Sequence, residues 1–367
     1  MKIALVHDWL TGQRGGEKVL EALAEIFPDA PLYTLFHFKG SQSEILDKRV
    51  IRTSFLQRMP LLKKKYRFYL PFYPIAVELF NLQDYDFVFS SSHCVAKGII
   101  PNADAIHFCY VHTPMRYAWN QYFNYFSKDK LGVFSRFYIP PVIHYLRMWD
   151  VSSSHRVDYY IANSEAVANR IWKYYRRKAE VIYPPVDTDF FIPGDMKDEY
   201  FLIVSALVPY KRIDLAVETF NQNKWPLKIV GQGPDSRKLK KRALPNIQFL
   251  GSVTNQELLR LYQGSRALIM PGEEDFGINA LESQACGIPV IAFGRGGATE
   301  TVIPEQTGLF FHELTKESLY QSLEQFQKFH FNPDDLRNHA LKFARHIFKN
   351  KIKSFVLDKI ALGQGQK

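Results

Sequence analysis

The feature that most constrains this chain is an alternation. Short, almost purely apolar runs are each followed by a segment with helical spacing. In the first half the runs lie at residues 3–6, 87–90, 106–111, 159–162 and 181–183; in the second half at 201–205, 227–230, 247–250, 267–270 and 289–292. Strands this brief and this uniformly apolar are covered on both faces, which predicts parallel sheets flanked by helices. Between the two sets, residues 183–194 are rich in proline and carry neither a helical nor a strand period, so a domain boundary is expected there. The expected division is residues 1–186, 187–346 and a C-terminal helix over 347–367. A length of 367 residues suits two α/β domains, and 46% hydrophobic content excludes a disordered chain.

The formal charge is +10, and its distribution says more than its size. Residues 48–75 hold eight cations (Lys48, Arg49, Arg52, Arg58, Lys63, Lys64, Lys65 and Arg67) and no acid, so the rest of the chain is close to neutral. That pattern argues against a nucleic-acid-coating protein and for one basic patch. The cations interleave with Phe55, Leu61, Leu62, Tyr66, Phe68, Tyr69, Phe72 and Tyr73. This composition suits an anionic bilayer surface, with a plain solvated face and base stacking as the alternatives. Cys94, Cys109 and Cys286 have neither zinc-site nor disulfide-framework spacing. Residues 1–6 lead straight into a strand without a leader pattern, which predicts a cytoplasmic location. The longest apolar stretch, 131–149, is interrupted by Arg136, Arg147 and the Pro140, Pro141 pair, so no membrane span is expected.

Two constellations carry chemistry. After the first strand, Gly15 and Gly16 precede a helical segment at 17–27, where a ligand can approach bare backbone at a helix start. The spacing is not the dinucleotide fingerprint, and a merely flexible turn fits it too. In the second half, Glu274 follows a strand, Phe276, Gly277 and Ile278 stand where a helix begins, and Glu282 lies about two turns into it. A helix N-terminus favours anions and carboxylates accept from sugar hydroxyls, so the pair suits a sugar nucleotide. A solvated helix position remains the plain alternative for Glu282.

Glu274 and Glu282 with seven residues between them, followed by the stretch 285–292, resemble the E-x7-E signature of the retaining family 4 glycosyltransferases of GT-B fold. The resemblance extends to residues 204–216 around Lys211, to the turn of Gly231 and Gly233, to the loop of Gly251 and Val253, and to Gly296, Gly297 and Glu300. In the first half, residues 15–18 and 110–119 look most like the O-antigen mannosyltransferase branch. The resemblance implies two Rossmann-like domains facing across a cleft, the first on the acceptor side and the second binding the donor, with the C-terminal helix crossing back.

It further implies roles. Lys211 would contact the donor diphosphate, Glu282 the ribose, and Glu274 with the backbone of Phe276, Gly277 and Ile278 the transferred sugar and phosphate. His112 would lie beside the donor sugar, with Arg116 nearby making it less often cationic. A preorganised cation at Lys211 would act as charge builds on the departing diphosphate. One position departs from the family pattern: Ala206 stands where an arginine is usual, and Arg212 is the expected partial replacement. The aspartate pairs 187/189 and 84/86 match a metal motif only formally; no metal and no cofactor are expected. The implied function is a retaining hexosyltransferase moving a sugar, GDP-mannose being the favoured donor, to a polyprenyl-linked or polysaccharide glycan. It would sit peripherally at the inner face of the cell membrane, with Arg58, Lys63–Lys65, Tyr66, Arg67, Phe68 and Tyr69 toward acceptor and lipid, and with no nucleic-acid partner. A sugar-nucleotide hydrolase or epimerase, or a binding scaffold weakened at Ala206, are the alternatives.

Overall fold

The computed structural model describes residues 1–12, 15–126, 132–195 and 198–364. The chain divides into two compact units: the first holds residues up to Pro185 together with the C-terminal helix from Phe348 on, the second Val186–Ile347. Residues 365–367 of that C-terminal segment lie outside the described residues.

The first unit contains β1 (Ile3–His7), β2 (Leu32–Thr34), β3 (Ile51–Thr53), β4 (Phe87–Ser92), β5 (Ile106–Val111), β6 (Tyr159–Ala162) and β7 (Ala179–Val181). They form one sheet in the order β3-β2-β1-β4-β5-β6-β7, and every pairing is parallel. Its apolar runs are buried because helices cover both faces, as the sequence pattern requires: Ala4, Leu5, Val6, Val88, Phe89 and Phe108 have no exposed surface. The C-terminal helix Arg345–Gln364 seals one face by presenting Phe348, Ile352 and Val356, one helical turn apart, to the same core as Leu5, Phe89 and Tyr110.

The second unit contains β8 (Tyr200–Val204), β9 (Leu227–Val230), β10 (Ile247–Gly251), β11 (Ser265–Met270), β12 (Val290–Phe293) and β13 (Gly308–Phe311). Their order is β10-β9-β8-β11-β12-β13, again all parallel. Two Rossmann-like units result. In each, the strand order reverses once: between β1 and β4 in the first sheet, and between β8 and β11 in the second. The crevice beyond the strand C-termini at such a switch point is where open α/β sheets bind ligands.

Three strands escaped the sequence reading. β2 and β3 are only three residues long and offer no apolar run of usable length, whereas β13 carries Leu309, Phe310 and Phe311 in succession and was overlooked. The run read at 181–183 is displaced, β7 being Ala179–Val181. The Pro140, Pro141 pair does not break the chain locally; the helix Val133–Ser154 runs through it. Both prolines are exposed, as are Arg136 and Phe137, so water can satisfy the carbonyls that lose their donors. Leu131, the start of the long apolar stretch, lies outside the described residues. No described helix is long and apolar enough to cross a membrane.

Candidate functional site

In the second unit, β8 ends in a turn that passes through Pro209–Lys211 into the helix Ile213–Asn223. Lys211 is 9% exposed and its Nζ donates to Glu274 Oε2, while the ammonium also stands 5.3 Å from the Tyr210 ring centroid. Lys211 follows β8 and Glu274 follows β11, so the ion pair spans the switch point. The sequence reading named both residues without joining them. Glycines explain the join. A Cβ at Gly272 would fall on the Lys211 Cα and the Tyr210 carbonyl, so only glycine lets the segment after β11 lie against the Lys211 turn. Behind it, Gly297 N donates to the Glu274 carbonyl at 2.9 Å, and a Cβ there would strike the backbone of Phe276. Gly277 has φ +90°, which favours glycine, and leads into the helix Ile278–Ala285. Phe276 is buried, and Asn279 Nδ2 donates to the Val204 carbonyl at 2.6 Å, tying that helix start to the end of β8.

Glu282 is not a solvated position. It is 2% exposed and accepts from the Tyr262 hydroxyl at 3.1 Å. Burial first, and the Glu282 charge second, hold the Tyr262 hydroxyl well above its ordinary pKa. Arg212 adopts φ +52° and its Nε donates to Asp214 Oδ1 at 3.2 Å, while Ala206 is exposed.

In the same unit a cavity of about 320 Å³ is lined by Leu207, Gly231, Gln232, Gly233, Ser236, Lys240, Phe249 and Gly251. Its shape depends on two close approaches, since a Cβ at Gly231 would fall on the Ser205 carbonyl and one at Gly233 on the Leu207 backbone. Three of the glycines singled out from sequence therefore share one wall. Val253 and Glu282 are not on it; Val253 packs against the core that contains Tyr262.

The first unit brings a different set to its switch point. His7 ends β1, Ser91 lies in β4, His93 follows it, and His112 follows β5. Ser91 Oγ is 3.1 Å from His7 Nδ1 and 2.8 Å from His112 Nε2. The His7, His93 and His112 rings lie 5.8–6.4 Å apart, centroid to centroid. Gly15 and Gly16 open the helix Gly15–Ile26, rather than preceding it as the sequence suggested, and a Cβ at Gly16 would lie 3.6 Å from His112 Nε2. Burial, then the His93 and His7 charges, keeps the His112 pKa well below its ordinary value. Arg116 is not among those causes, which corrects the expectation that it neutralises His112. The Arg116 carbonyl accepts from Gln121 N at 2.9 Å. Asp8, fully buried beside His7, accepts backbone N–H bonds from His93, Cys94, Val95 and Ala96 at 2.6–2.9 Å. Sequence reasoning missed His7, Asp8 and Ser91; the available signal was the polar triplet 90–92 ending an otherwise apolar strand.

The formal metal pairs have local work. Asp187 Oδ1 accepts from Phe190 N at 3.2 Å, and Asp86 Oδ2 from Lys2 N at 2.6 Å. Among the described residues no group of three or more His, Cys, Asp or Glu side chains is arranged to hold a metal ion.

The basic aromatic segment divides by side. Lys48 pairs with Glu44, Arg49 donates to the Phe27 and Ala30 carbonyls, and Arg52 to the Tyr33 hydroxyl, so these three serve the fold. Leu62 and Tyr73 are buried, while Tyr66 packs between Trp9 and Phe36, and Tyr69 donates to the Pro60 carbonyl at 2.6 Å. Outward lie Arg58, Lys63, Lys64, Lys65 and Arg67 with Phe55, Leu61, Phe68 and Phe72, Phe68 being 76% exposed. Hence the aromatics do not all belong to one surface; half of them anchor the segment.

Residues 15–190 match the family model described as Glycosyltransferase Family 4, and residues 187–345 the model described as Glycosyl transferases group 1. The chain is similar to an uncharacterized glycosyltransferase of Methanocaldococcus jannaschii, 28% identical over 49% of this chain and 51% of the relative. It is also similar to a GDP-mannose-dependent monoacylated alpha-(1-6)-phosphatidylinositol monomannoside mannosyltransferase of Corynebacterium glutamicum, 36% identical over 29% of this chain and 32% of that protein. The chain thus spans about half the length, or less, of the curated relatives it matches. Among solved structures, Anabaena HepE in complex with UDP and glucose superposes with a TM-score of 0.71 at 16% identity, covering 97% of this chain and 99% of that one, which shows a shared GT-B fold.

Proposed function

The chain belongs to the glycosyltransferases, a family 4 domain followed by a group 1 domain in a GT-B fold, and from that premise we propose that it transfers a hexose, with retention, from a nucleoside diphosphate sugar to a lipid-linked or polysaccharide glycan. The observation that carries the reading is the Lys211–Glu274 pair at the second sheet's switch point. A cation held there by a carboxylate needs no reorganisation when charge develops on a leaving diphosphate. Lys211 meets that diphosphate, aided by Arg212 in place of an arginine at Ala206. Glu274 and the backbone from Phe276 to Ile278 hold the sugar and phosphate, and Glu282 the ribose. The cavity lined by Gly231, Gly233, Gly251 and Phe249 takes the base. In the first unit Gly15, Gly16, Arg116 and His112 contact the sugar side of the donor. By the resemblance to the retaining family, the acceptor hydroxyl attacks on the face from which the diphosphate departs, and the leaving phosphate takes its proton.

GDP-mannose is the favoured donor, supported by the Corynebacterium relative; the Anabaena neighbour's complex with UDP and glucose marks UDP-glucose as the competing one. The exposed cations and aromatics of residues 58–72 serve an anionic membrane surface that carries the acceptor, at the cytoplasmic face. A second reading, a nucleotide-sugar-binding scaffold, draws on Ala206 and on the commitment of Arg212 to Asp214. Thermal-shift titration with GDP, UDP, ADP and their sugars, followed by product analysis with and without a polyprenyl-linked glycan, separates these. A ligand of the folded state raises the unfolding temperature, and transfer to the glycan rejects the scaffold. Stabilisation by none of the nucleotides would refute the proposal.

A further inference from the structure

The roles proposed for the first unit use only His112 among the groups gathered at its switch point. Ser91 Oγ contacts both His7 Nδ1 and His112 Nε2. A hydroxyl has one proton to give, so when it donates to one ring the other ring must donate to it. The two neutral imidazoles therefore hold the same tautomer, both protonated on Nδ1 or both on Nε2. If His112 Nε2 accepts, His7 Nδ1 carries the proton and His7 Nε2 is a bare lone pair; if His112 Nε2 donates, His7 Nε2 carries a proton.

That far nitrogen is the unexplained atom. His7 is 1% exposed, and its Nε2 is buried with no hydrogen-bond partner, a state that costs free energy until something polar arrives. The ring stands beside the first turn of a twelve-residue helix that opens with two glycines: a Cβ at Gly16 would sit 3.8 Å from His7 Cε1, the carbon bonded to that nitrogen. The neighbouring Asp8 is occupied by four backbone N–H groups and by His93 Nδ1 at 3.1 Å. Burial first, and His93 second, push the His7 pKa down to about 4, so the ring is neutral near pH 7 and suits an uncharged hydroxyl.

We propose that His7 Nε2 reads one hydroxyl of the transferred sugar, and that Ser91 couples this contact to the tautomer of His112. His7 is thus a specificity-determining residue and Ser91 a positioning residue. The inference rests on the reading of Gly16 and His112 as sugar-side contacts.

The test uses GDP-mannose and its singly deoxygenated analogues, or the UDP-glucose series if that is the donor turned over. The full-length chain is compared with His7→Asn, which keeps a polar atom toward Ser91 but loses the far one, and His7→Gln, which reaches the Nε2 position. His7→Asn is expected to lose about tenfold in kcat/KM with the complete donor. With one deoxy donor it is expected to match the wild type, while His7→Gln recovers part of the loss at unchanged unfolding temperature. Ser91→Ala is expected to alter the pH profile of kcat. A His7→Asn variant that loses equal activity with every donor, or none with any, overturns the inference. If the wild type turns over neither donor, the underlying reading fails and takes the inference with it.

Discussion

The two sheets share a topology and use its switch point in opposite ways. At the second, the functional groups are charged and compensated: Lys211 against Glu274. At the first they are neutral and share protons: burial holds His7 and His112 uncharged, and one hydroxyl serves both. A diphosphate must be met by charge, whereas a sugar is distinguished by hydrogen bonds whose direction can be fixed. Neither set lies in the segment that dominates the net charge, residues 48–75. The charged pair, the neutral histidine cluster and the basic segment are separate along the chain, so each proposed role can be removed alone.

Lys211→Ala breaks the comparison most severely. The loss of a preorganised cation predicts a fall in kcat of about 10²- to 10³-fold, read by steady-state donor turnover, with the unit still folded by circular dichroism. Replacing Lys63, Lys64 and Lys65 with serine leaves both switch points intact. At about 1 kcal/mol per cation near a charged surface, partitioning onto phosphatidylglycerol vesicles is expected to fall about 10²-fold while GDP affinity is unchanged. Unaltered partitioning would remove the membrane proposal.

The neutral site makes a pH prediction. His7 in that site, and His107 outside it in β5, where its Nε2 meets Ser90 Oγ at 2.7 Å, have folded pKa values pushed down to about 4 by burial, against 6.5 for a free imidazole. The unfolded chain therefore binds more protons between those values. Stability is fully present above pH 6.5 and is lost as pH falls toward 4, about 2 kcal/mol for each ring by pH 5. Urea denaturation at pH 7 and pH 5 measures it; equal midpoints would mean the rings are not buried neutral. The gentlest change is Glu274→Gln. Relieved of its carboxylate, Lys211 is expected to bind GDP about threefold more tightly, although turnover drops because Glu274 also holds the sugar. Calorimetry shows the first effect and kinetics the second.

Most of the architecture was legible because buried parallel strands leave a signal in single residues: each core strand is an apolar run. Very short strands leave less. β2 and β3 gave none, being three residues long. The site was legible in parts. Lys211 and Glu274 stand out beside their strands, but their contact depends on Gly272 passing over the Lys211 turn, a tertiary fact carried by an ordinary Pro-Gly pair. The distribution of the basic segment misled in the same way. Charge density is visible in sequence, yet whether Arg49 faces lipid or caps three carbonyls is decided by the fold. His7 was illegible because a polar residue ending a strand looks the same whether its far nitrogen is paired or orphaned.

The division of labour is tested most directly by GDP titration of the wild type, Lys211→Ala and His7→Asn in an isothermal calorimeter. Lys211→Ala is expected to weaken GDP binding by at least about tenfold, the scale of a lost charged hydrogen bond, and His7→Asn to leave it unchanged, since GDP lacks the transferred hexose that His7 reads. Weakened GDP binding in His7→Asn with full affinity in Lys211→Ala would contradict it.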